Sequence, residues 1–158
     1  MFRIGFGSDV HRLETGKPLI LGGVKIESEL GTVGHSDADA LLHAITDAIL
    51  GALALGDIGV HFSDKDERWK NADSSVFLAE AVRLMKVENY KISNIDSVIN
   101  LEKPKLRPYI EKMRERIAQI LEIELNCVSV KAKTGEKVDS VGQSLAVKAE
   151  VVVLLESD

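Results

Sequence analysis

The sequence predicts one compact α+β domain. The chain has 158 residues, of which 45% are hydrophobic, so it is long enough to bury one sizeable core. Some segments alternate apolar and polar residues as strands do, whereas others repeat apolar residues at helical spacing. No internal repeat, low-complexity run or linker divides the chain. We therefore expect a single domain over residues 1–158.

Composition excludes several classes of function. A net charge of -5 and few aromatic residues argue against a nucleic-acid partner. The longest apolar stretches, residues 48–55 and 151–155, are shorter than the roughly 18 residues that a membrane-spanning helix needs. The start of the chain lacks the pattern of a signal peptide, and the single cysteine, Cys127, allows no intrachain disulfide. We expect a cytoplasmic protein without a membrane or nucleic-acid partner.

The first elements are predicted to be strands. Phe2, Ile4 and Phe6 alternate with other residues, which predicts a half-buried strand that ends in the turn-forming residues 7–9. Residues 19–27 contain two short apolar runs on either side of Gly22 and Gly23. Two glycines can adopt the positive φ angles of a tight hairpin, so this segment predicts one.

Three helices are predicted further along the chain. The first covers residues 38–55 and is closed by Gly56. The second covers residues 75–87, with Asp73 and Ser74 available as caps. Pro108 opens the third helix, whose apolar residues recur at helical spacing; they are Ile110, Met113, Ile117, Ile120 and Leu121.

The remaining elements are predicted to be extended. Residues 92–101 form one such segment, and residues 127–133 and 145–155 form two strands near the end. The last strand is apolar on both sides over residues 151–155, which suggests burial by the core and by a partner chain. One of its faces comprises Leu145, Val147, Ala149, Val151, Val153 and Leu155.

The first predicted helix carries an unusual polar stripe. It is apolar nearly all round, except for Asp39, His43, Thr46 and Asp47 along one side. Because buried Asp and His are costly unless paired or bound to a metal, the stripe needs partners. Two interpretations stay open, a polar cluster that caps a neighbouring loop and a set of metal ligands.

Asp9, His11 and His43 together match a known kind of metal site. Asp9 and His11 lie two apart in extended chain, so both side chains leave the same face. One carboxylate and two imidazoles are the ligands of a catalytic zinc site that keeps one position open. Asp47, one helical turn after His43, could fix the tautomer of that imidazole. Hydrogen bonding of the histidines inside the core is the alternative.

Three loops add polar groups. Residues 30–37 lead into the first helix, where backbone N–H groups favour a phosphate, although Asp37 could simply be the helix cap. Residues 56–66 form an acidic loop that could be solvated surface. Residues 133–137 could be a turn alone, or Glu136 could bind a hard cation and Thr134 a phosphate.

Three segments in this order and spacing resemble a known family. They are RIGFGSDVHRL, GHSDADALLHAITDAILGALALGDIG and KAKTGEKVDS. Together they resemble the 2-C-methyl-D-erythritol 2,4-cyclodiphosphate synthase family of the non-mevalonate isoprenoid pathway, over almost the whole chain. The resemblance implies a mixed β-sheet with helices on one face, as in chorismate-mutase-like or ferredoxin-like subunits, assembled as a homotrimer.

The resemblance also implies a zinc-dependent phosphorus–oxygen lyase. The family cyclises 4-diphosphocytidyl-2-C-methyl-D-erythritol 2-phosphate and releases CMP, at sites shared between subunits. The implied cofactors are one Zn²⁺ per subunit and a second divalent cation, Mg²⁺ or Mn²⁺, that binds with the substrate. In this reaction the substrate's own 2-phosphate attacks its β-phosphorus, so no side chain becomes covalently attached.

Matching the family motifs residue by residue assigns the family's functional roles to positions in this sequence. The zinc ligands fall on Asp9, His11 and His43, and the second cation on Glu136. His35 and Thr134 would orient the reacting phosphates as catalytic residues. Residues 101–107 would receive cytidine from the neighbouring subunit. The full set of expected substrate contacts is Asp9, His11, His35, Ser36, Asp57, Ile58, Gly59, Phe62, Ser63, Asp64, Lys65, Asp66, Leu101, Pro104, Lys105, Leu106, Arg107, Lys133, Thr134, Gly135 and Glu136.

One stretch departs from the family pattern. The commoner bacterial form continues after the glutamate with Gly-Phe-x-Gly-Arg, whereas residues 139–143 here read DSVGQ, as in chloroplast-type members. The absent Phe and Arg line the trimer centre, where an isoprenoid diphosphate can bind, so that site is not carried over. Lys133 replaces a threonine.

Two other functions remain alternatives. A metal-dependent phosphohydrolase could use the same ligands to activate water. A non-catalytic trimeric ligand-binding module could use the same fold, because fold does not fix function. The number of reactive groups argues against the ligand-binding module, whereas only the products distinguish the synthase from the hydrolase.

Overall fold

The computed structural model describes residues 1–157 and has a mixed α+β architecture. A five-stranded sheet has the strand order β4-β1-β7-β5-β6, and a separate hairpin pairs β2 with β3. The strands are β1 (Phe2–Thr15), β2 (Leu19–Leu21), β3 (Val24–Ile26), β4 (Leu30–Thr32), β5 (Lys91–Asn100), β6 (Val128–Lys133) and β7 (Ala146–Glu156). The helices are α1 (Ala40–Ala52), α2 (Ile58–His61), α3 (Ser75–Val87), α4 (Ile110–Leu121) and α5 (Asp139–Gly142), and 3-10 turns cover Glu67–Trp69, Arg107–Tyr109 and Leu125–Cys127.

The sheet is mixed because one pair of neighbours is parallel. β5 and β6 run parallel, whereas β1 with β4, β1 with β7, and β5 with β7 are antiparallel. The long β1–β7 ladder pairs the two ends of the chain, from Phe2 with Glu156 to Arg12 with Ala146. The predicted α+β class is confirmed.

Strand β1 differs from its prediction in length and in orientation. It continues for 14 residues through the expected turn at 7–9, so that prediction was wrong. Phe2, Ile4 and Phe6 point away from the core and are 69%, 73% and 61% exposed. The core side instead carries Gly5 and Gly7, where an added Cβ would lie within 2 Å of a backbone oxygen of α1. The glycines therefore let the helix approach the strand closely.

The helices begin and end close to their predicted positions. α3 covers the predicted residues, and the third predicted helix starts with a 3-10 turn that contains Pro108 before α4. α1 is shorter than predicted at both ends, because Asp39 caps it and Ala54 already adopts the left-handed conformation two residues before Gly56. No helix within residues 1–157 combines the length and the apolar character that a membrane span requires.

The core lies between α1 and the sheet. Helix α1 contributes ten buried residues and packs on β1 and β7. On the inner face of β7 the predicted apolar residues from Val147 to Leu155 are at most 1% exposed. Leu145 precedes the strand and is 55% exposed, so its predicted place on that face was wrong. The hairpin at Gly22 and Gly23 is confirmed.

Candidate metal site and adjoining clefts

Three potential metal ligands converge between β1 and α1. Asp9 and His11 lie on the helix side of β1, and His43 lies on α1. The Nδ1 atom of His11 is 2.9 Å from Oδ2 of Asp9, and Nδ1 of His43 is 3.2 Å from the same oxygen. The three ligand atoms all lie within 4.8 Å of one another, so the cluster could hold a metal ion.

The bonding of these atoms supports a cation between them. Oδ2 of Asp9 and Nδ1 of His11 are buried and have no hydrogen-bond partner. Buried polar atoms without partners are rare and need an explanation. In a tetrahedral zinc site, oxygen and nitrogen ligands lie about 3.4 Å apart, which is close to the spacing here. The residues present fit a metal with nitrogen and oxygen ligands.

The charge of Asp9 suits this role. Burial would raise the pKa of its carboxyl group, but the adjacent imidazoles of His11 and His43 outweigh burial and lower the pKa to about 2. The carboxylate is therefore ionised at neutral pH and available as a ligand.

The second nitrogen of His43 does not contact Asp47. Its Nε2 lies 2.8 Å from the Ser74 hydroxyl and 3.2 Å from the Ser36 hydroxyl. Oδ1 of Asp47 instead accepts a hydrogen bond from the Ile58 N–H at 2.7 Å, which attaches the start of α2 to α1. The prediction that Asp47 fixes the His43 tautomer is wrong, because Nε2 of His43 contacts Ser74 and Ser36 and Nδ1 contacts Asp9.

Asp39 and Thr46 of the polar stripe have structural roles. The Asp39 carboxylate accepts hydrogen bonds from the N–H groups of Leu41 and Leu42 in its own helix and from Gly22 and Gly23 in the hairpin. Burial nevertheless raises the pKa of this carboxyl group. The Thr46 hydroxyl donates to the Leu42 carbonyl. For Asp39 the loop-capping interpretation of the stripe therefore describes the structure, whereas Thr46 bonds only within its own helix.

A cleft of about 340 Å³ opens beside the metal ligands. We call it the histidine cleft. It is lined by His11, His35, Ser36, His43, Ile58, Gly59, Phe62, Asp64, Trp69 and Phe77. One part of the wall is therefore polar and the other is aromatic or aliphatic.

Other predicted residues of the acidic loop do not line this cleft. Asp57 caps α2 by accepting from the Val60 N–H. The Ser63 hydroxyl accepts from the N–H of Lys65, which is itself exposed. The Asp66 carboxylate pairs with Arg68 through two nitrogens.

His35 makes one contact to the end of this loop and one to the residues that follow it. Its Nε2 contacts the Asp66 carbonyl at 3.1 Å, and its own carbonyl accepts from the Asn71 N–H at 2.7 Å. A carbonyl oxygen can only accept, so Nε2 carries the hydrogen of that bond. In the neutral ring, Nδ1 then carries the lone pair.

Sequence reasoning missed two aromatic residues of the histidine cleft. Trp69 and Phe77 pack with Phe62, with ring centroids 4.7–5.7 Å apart, and Phe77 also lies 5.9 Å from the His43 ring. The chain has only one tryptophan and four phenylalanines. Residues 62–77 contain three of these few aromatic residues, and this clustering is the signal in the sequence that could have identified the aromatic wall of the cleft.

A second cleft of about 390 Å³ is rich in basic side chains. We call it the lysine cleft. It contains predicted residues from two segments together with Ile110, Lys131 and Ala132. The predicted members are Leu101, Pro104, Lys105, Leu106, Arg107, Lys133 and Thr134.

The loop after β6 is joined to the segment after β5. The Gly135 N–H donates to the Glu102 carboxylate at 2.9 Å, and the Leu101 N–H donates to the Lys133 carbonyl at 2.9 Å. Within the loop, the Thr134 hydroxyl donates to Oε1 of Glu136 at 2.8 Å. Gly135 and Glu136 therefore lie beside the lysine cleft without lining it.

The two clefts lie at the same end of the sheet but on different strands. Val10 of β1 pairs with Lys148 of β7, Lys148 with Asn100 of β5, and Asn100 with Lys133 of β6. Three strand spacings of about 4.8 Å separate β1 from β6 by about 14 Å. No described residue lines both clefts. One copy of the chain therefore does not join them into one site.

The fold and the site define an α+β domain with a candidate metal site at the mouth of a cleft. Comparison with known proteins gives the family: the chain belongs to the YgbB family, whose model matches residues 2–156. It is 56% identical over 156 residues to the 2-C-methyl-D-erythritol 2,4-cyclodiphosphate synthase of Fusobacterium nucleatum, covering 99% of this chain and 98% of the relative.

Solved structures agree with this assignment. A 2C-methyl-D-erythritol-2,4-cyclodiphosphate synthase structure matches with a TM-score of 0.90 at 42% identity, over 98% of this chain and 100% of the other. A CDP-bound form of such a synthase matches with a TM-score of 0.91 at 41% identity, with the same coverage of both chains. The likeness therefore extends over the whole fold.

Proposed function

We propose that the chain is a 2-C-methyl-D-erythritol 2,4-cyclodiphosphate synthase of isoprenoid precursor biosynthesis. The substrate is 4-diphosphocytidyl-2-C-methyl-D-erythritol 2-phosphate, and the products are CMP and the cyclic diphosphate. The convergence of Asp9, His11 and His43 beside a cleft carries the proposal. Full-length similarity to curated synthases and to a CDP-bound structure supports it. The single cysteine is in keeping with a cytoplasmic enzyme.

Asp9, His11 and His43 would hold one Zn²⁺ per subunit. Their donor set of one oxygen and two nitrogens suits zinc and leaves a fourth position for a ligand. The ion would polarise a phosphate oxygen as a Lewis acid. Glu136 would hold the second divalent cation, Mg²⁺ or Mn²⁺, because carboxylate oxygen suits hard cations.

The chain's own residues would orient the reacting phosphates. An oxygen of the 2-phosphate attacks the β-phosphorus, a new P–O bond forms, and the bond to the α-phosphate oxygen breaks with its electron pair leaving on CMP. His35 and Thr134 would hold the attacking and leaving groups in line. His35 lines the histidine cleft, and Nδ1 is the nitrogen that would bind a phosphate, because Nε2 is bonded to the Asp66 carbonyl.

The two clefts would divide the substrate between them. The histidine cleft, with Ser36, Ile58, Gly59, Phe62 and Asp64 in its wall, would take the methylerythritol part and adjoining phosphates. The neighbouring Asp57, Ser63, Lys65 and Asp66 would shape that end of the site. The lysine cleft would take cytidine and its phosphates through Leu101, Pro104, Lys105, Leu106, Arg107 and Lys133, with Gly135 beside them.

A homotrimer would bring the two clefts together. The same diphosphate has to contact Thr134 and the zinc site, and these lie on strands about 14 Å apart within one copy. The outer face of the sheet exposes Phe2, Ile4, Phe6 and Val152, an apolar surface suited to contact between copies. The active sites would then lie at the subunit boundaries.

Product analysis tests the proposed reaction. Purified protein with Zn²⁺ and Mg²⁺ is incubated with the substrate, and ³¹P NMR follows the phosphorus species. A synthase gives CMP and a cyclic diphosphate without inorganic phosphate. Linear products with inorganic phosphate would indicate a phosphohydrolase, and unchanged substrate would indicate a ligand-binding module.

A further inference from the structure

Ser74 does not perform the function that its position suggests. It is the N-cap residue of α3, where serine usually accepts a hydrogen bond from a backbone N–H of the first turn. Its hydroxyl makes no such bond, although the residue is 0% exposed. The Asp73 carboxylate accepts from the Ser75 N–H instead. The Ser74 hydroxyl is therefore available for another contact.

The hydroxyl joins Asp37 to His43. Asp37 accepts from the Ser74 hydroxyl through Oδ1 and from the Ser74 N–H through Oδ2 at 3.1 Å. A second N–H, that of Asp39, donates to Oδ1 of Asp37 at 3.1 Å and holds the carboxylate in place. On its other side, Ser74 Oγ lies 2.8 Å from Nε2 of His43.

Counting hydrogens determines the direction of each bond. Both oxygens of Asp37 accept hydrogen bonds from backbone N–H groups, and Oδ1 also accepts from the Ser74 hydroxyl, so the single hydroxyl hydrogen of Ser74 points to Asp37. The Ser74 oxygen must then accept from His43, which places a hydrogen on Nε2; in the neutral imidazole this leaves a lone pair on Nδ1. That Nδ1 atom is the one that lies 3.2 Å from Oδ2 of Asp9.

We propose that Ser74, held by Asp37, is a positioning residue that fixes the tautomer and ring orientation of His43 for metal binding. The inference rests on the proposed metal site. Ser36 is a weaker candidate for this role, because its oxygen is 3.2 Å from Nε2 and already accepts from the Ala38 N–H. Partners of this kind orient the imidazoles of metal sites and commonly change metal affinity.

Metal affinity is the first measurement. Competition with a chelating dye gives the Zn²⁺ dissociation constant of the purified protein and of Ser74→Ala. We expect Ser74→Ala to bind Zn²⁺ about 10- to 100-fold more weakly. Ser75→Ala is the matched control at the next position, because the hydrogen bonds of Ser75 go to Asp73. Ser74→Thr keeps a hydroxyl and should restore most of the affinity.

A spectroscopic measurement on the unmutated protein needs no variant to fold. Long-range ¹H–¹⁵N correlation spectra of the Zn²⁺-bound protein distinguish the two neutral tautomers of its four histidines. His43 should carry its hydrogen on Nε2.

Three results would overturn the proposal. They are a hydrogen on Nδ1 of neutral His43, a Ser74→Ala affinity equal to that of Ser75→Ala, and a folded Ser74→Thr that binds no better than Ser74→Ala. If the unmutated protein binds no Zn²⁺, the proposed zinc site at Asp9, His11 and His43 is refuted as well. If it binds Zn²⁺ and Ser74→Ala binds Zn²⁺ with the same affinity, only the proposed role of Ser74 is refuted.

Discussion

Individual side chains around the histidine cleft differ in what their polar atoms contact. Asp39 uses both carboxylate oxygens on backbone N–H groups, whereas Asp9 directs a buried oxygen at two imidazoles and has no hydrogen bond there. A hydrogen-bonded carboxylate stabilises a fold, and one without partners next to two imidazoles is a metal-ligand candidate. This contrast separates the two aspartates, although the sequence presents both as buried acids.

Removing one imidazole tests the ligand set at this scale. His43→Ala should abolish stoichiometric Zn²⁺ binding and lower kcat/KM more than about 100-fold, while the circular dichroism spectrum stays unchanged. Elemental analysis of the purified variant gives the metal content. The control is His61→Ala, since His61 lies outside the cluster and contacts the Leu55 carbonyl. A His43→Ala protein that keeps one Zn²⁺ per chain would refute the assignment.

The pKa of Asp47 gives a pH-dependent prediction. Burial raises the pKa of this carboxyl group, and nearby carboxylates of Asp57 and Asp9 add to the rise despite the hydrogen bond from Ile58. A folded pKa above the unfolded value means that ionisation destabilises the fold, and this cost is present at neutral pH and lost as pH falls through the two pKa values.

Asp47→Asn should therefore raise the free energy of unfolding of the metal-free protein at pH 7, with a smaller difference near pH 4. Urea unfolding at both pH values measures it. A variant that is less stable at pH 7 than at pH 4, relative to the parent, would contradict the sign.

Part of the candidate site could be predicted from residue spacing alone. The alternation of a strand places Asp9 and His11 on one face, and the polar stripe singles out His43. The partners of His43 could not be predicted this way, because Ser74 is 31 residues away in the chain and its position suggests a helix cap. Spacing along the helix favours Asp47, one turn away, as the partner of His43, but Oδ1 of Asp47 accepts from the Ile58 N–H instead.

At the scale of elements, the packing of α1 on β1 positions the metal ligands. The helix lies close to the strand because Gly5 and Gly7 have no side chain on that face. Turn-forming residues at 7–9 predict a break in the strand, but the ladder with β7 continues through them. Pairing with β7 and packing against α1 outweigh the local preference of residues 7–9 for a turn, and a sequence pattern does not show these tertiary contacts.

Substitution of Gly7 tests this packing. The Cβ of Gly7→Ala would lie 1.9 Å from the Ala44 carbonyl oxygen, so the helix must shift. We expect a loss of roughly 1–3 kcal/mol in the free energy of unfolding, together with weaker Zn²⁺ binding.

The matched control is Gly51→Ala in α1, whose nearest contact is 3.9 Å away. There the change should stabilise the protein by about 0.5–1 kcal/mol through helix propensity. Equal effects of the two substitutions in urea unfolding would contradict the close-packing account.

At the scale of the whole molecule, one face of the sheet remains apolar and exposed. Phe2, Ile4, Phe6 and Val10 of β1 are each at least 60% exposed, and Val152 of β7 lies beside them. The sequence predicts partner contact from the apolar residues of β7, but Leu154 and Val152 supply only part of this surface. The larger part comes from β1, for which the sequence predicts a half-buried strand without showing which face is buried.

A charged residue on this face should weaken assembly. Ile4→Glu removes a side chain whose burial is worth about 1.5–3 kcal/mol per copy and adds a charge, so we expect monomers in sedimentation velocity and loss of activity. Val87→Glu is the control, because Val87 is 62% exposed at the end of α3. If the parent sediments as the proposed trimer and Ile4→Glu sediments as a trimer too, this face is not the interface.

The net charge of -5 also has a different meaning at this scale. It argues against nucleic acid, and alone it would disfavour a substrate that carries a diphosphate and a monophosphate. Two divalent cations at the proposed site would supply the missing positive charge. Lys105, Arg107, Lys131 and Lys133 around the lysine cleft would add to it.

Complementation between two inactive variants tests most directly whether each active site is shared between copies. His43→Ala damages only the histidine cleft, and Lys105→Ala only the lysine cleft. In randomly mixed trimers about one quarter of the sites pair two intact clefts, since each site draws one cleft from each of two neighbouring copies. We predict that co-refolded mixtures recover about that fraction of parental CMP release. Mixed trimers that stay as inactive as either variant alone would contradict the shared site.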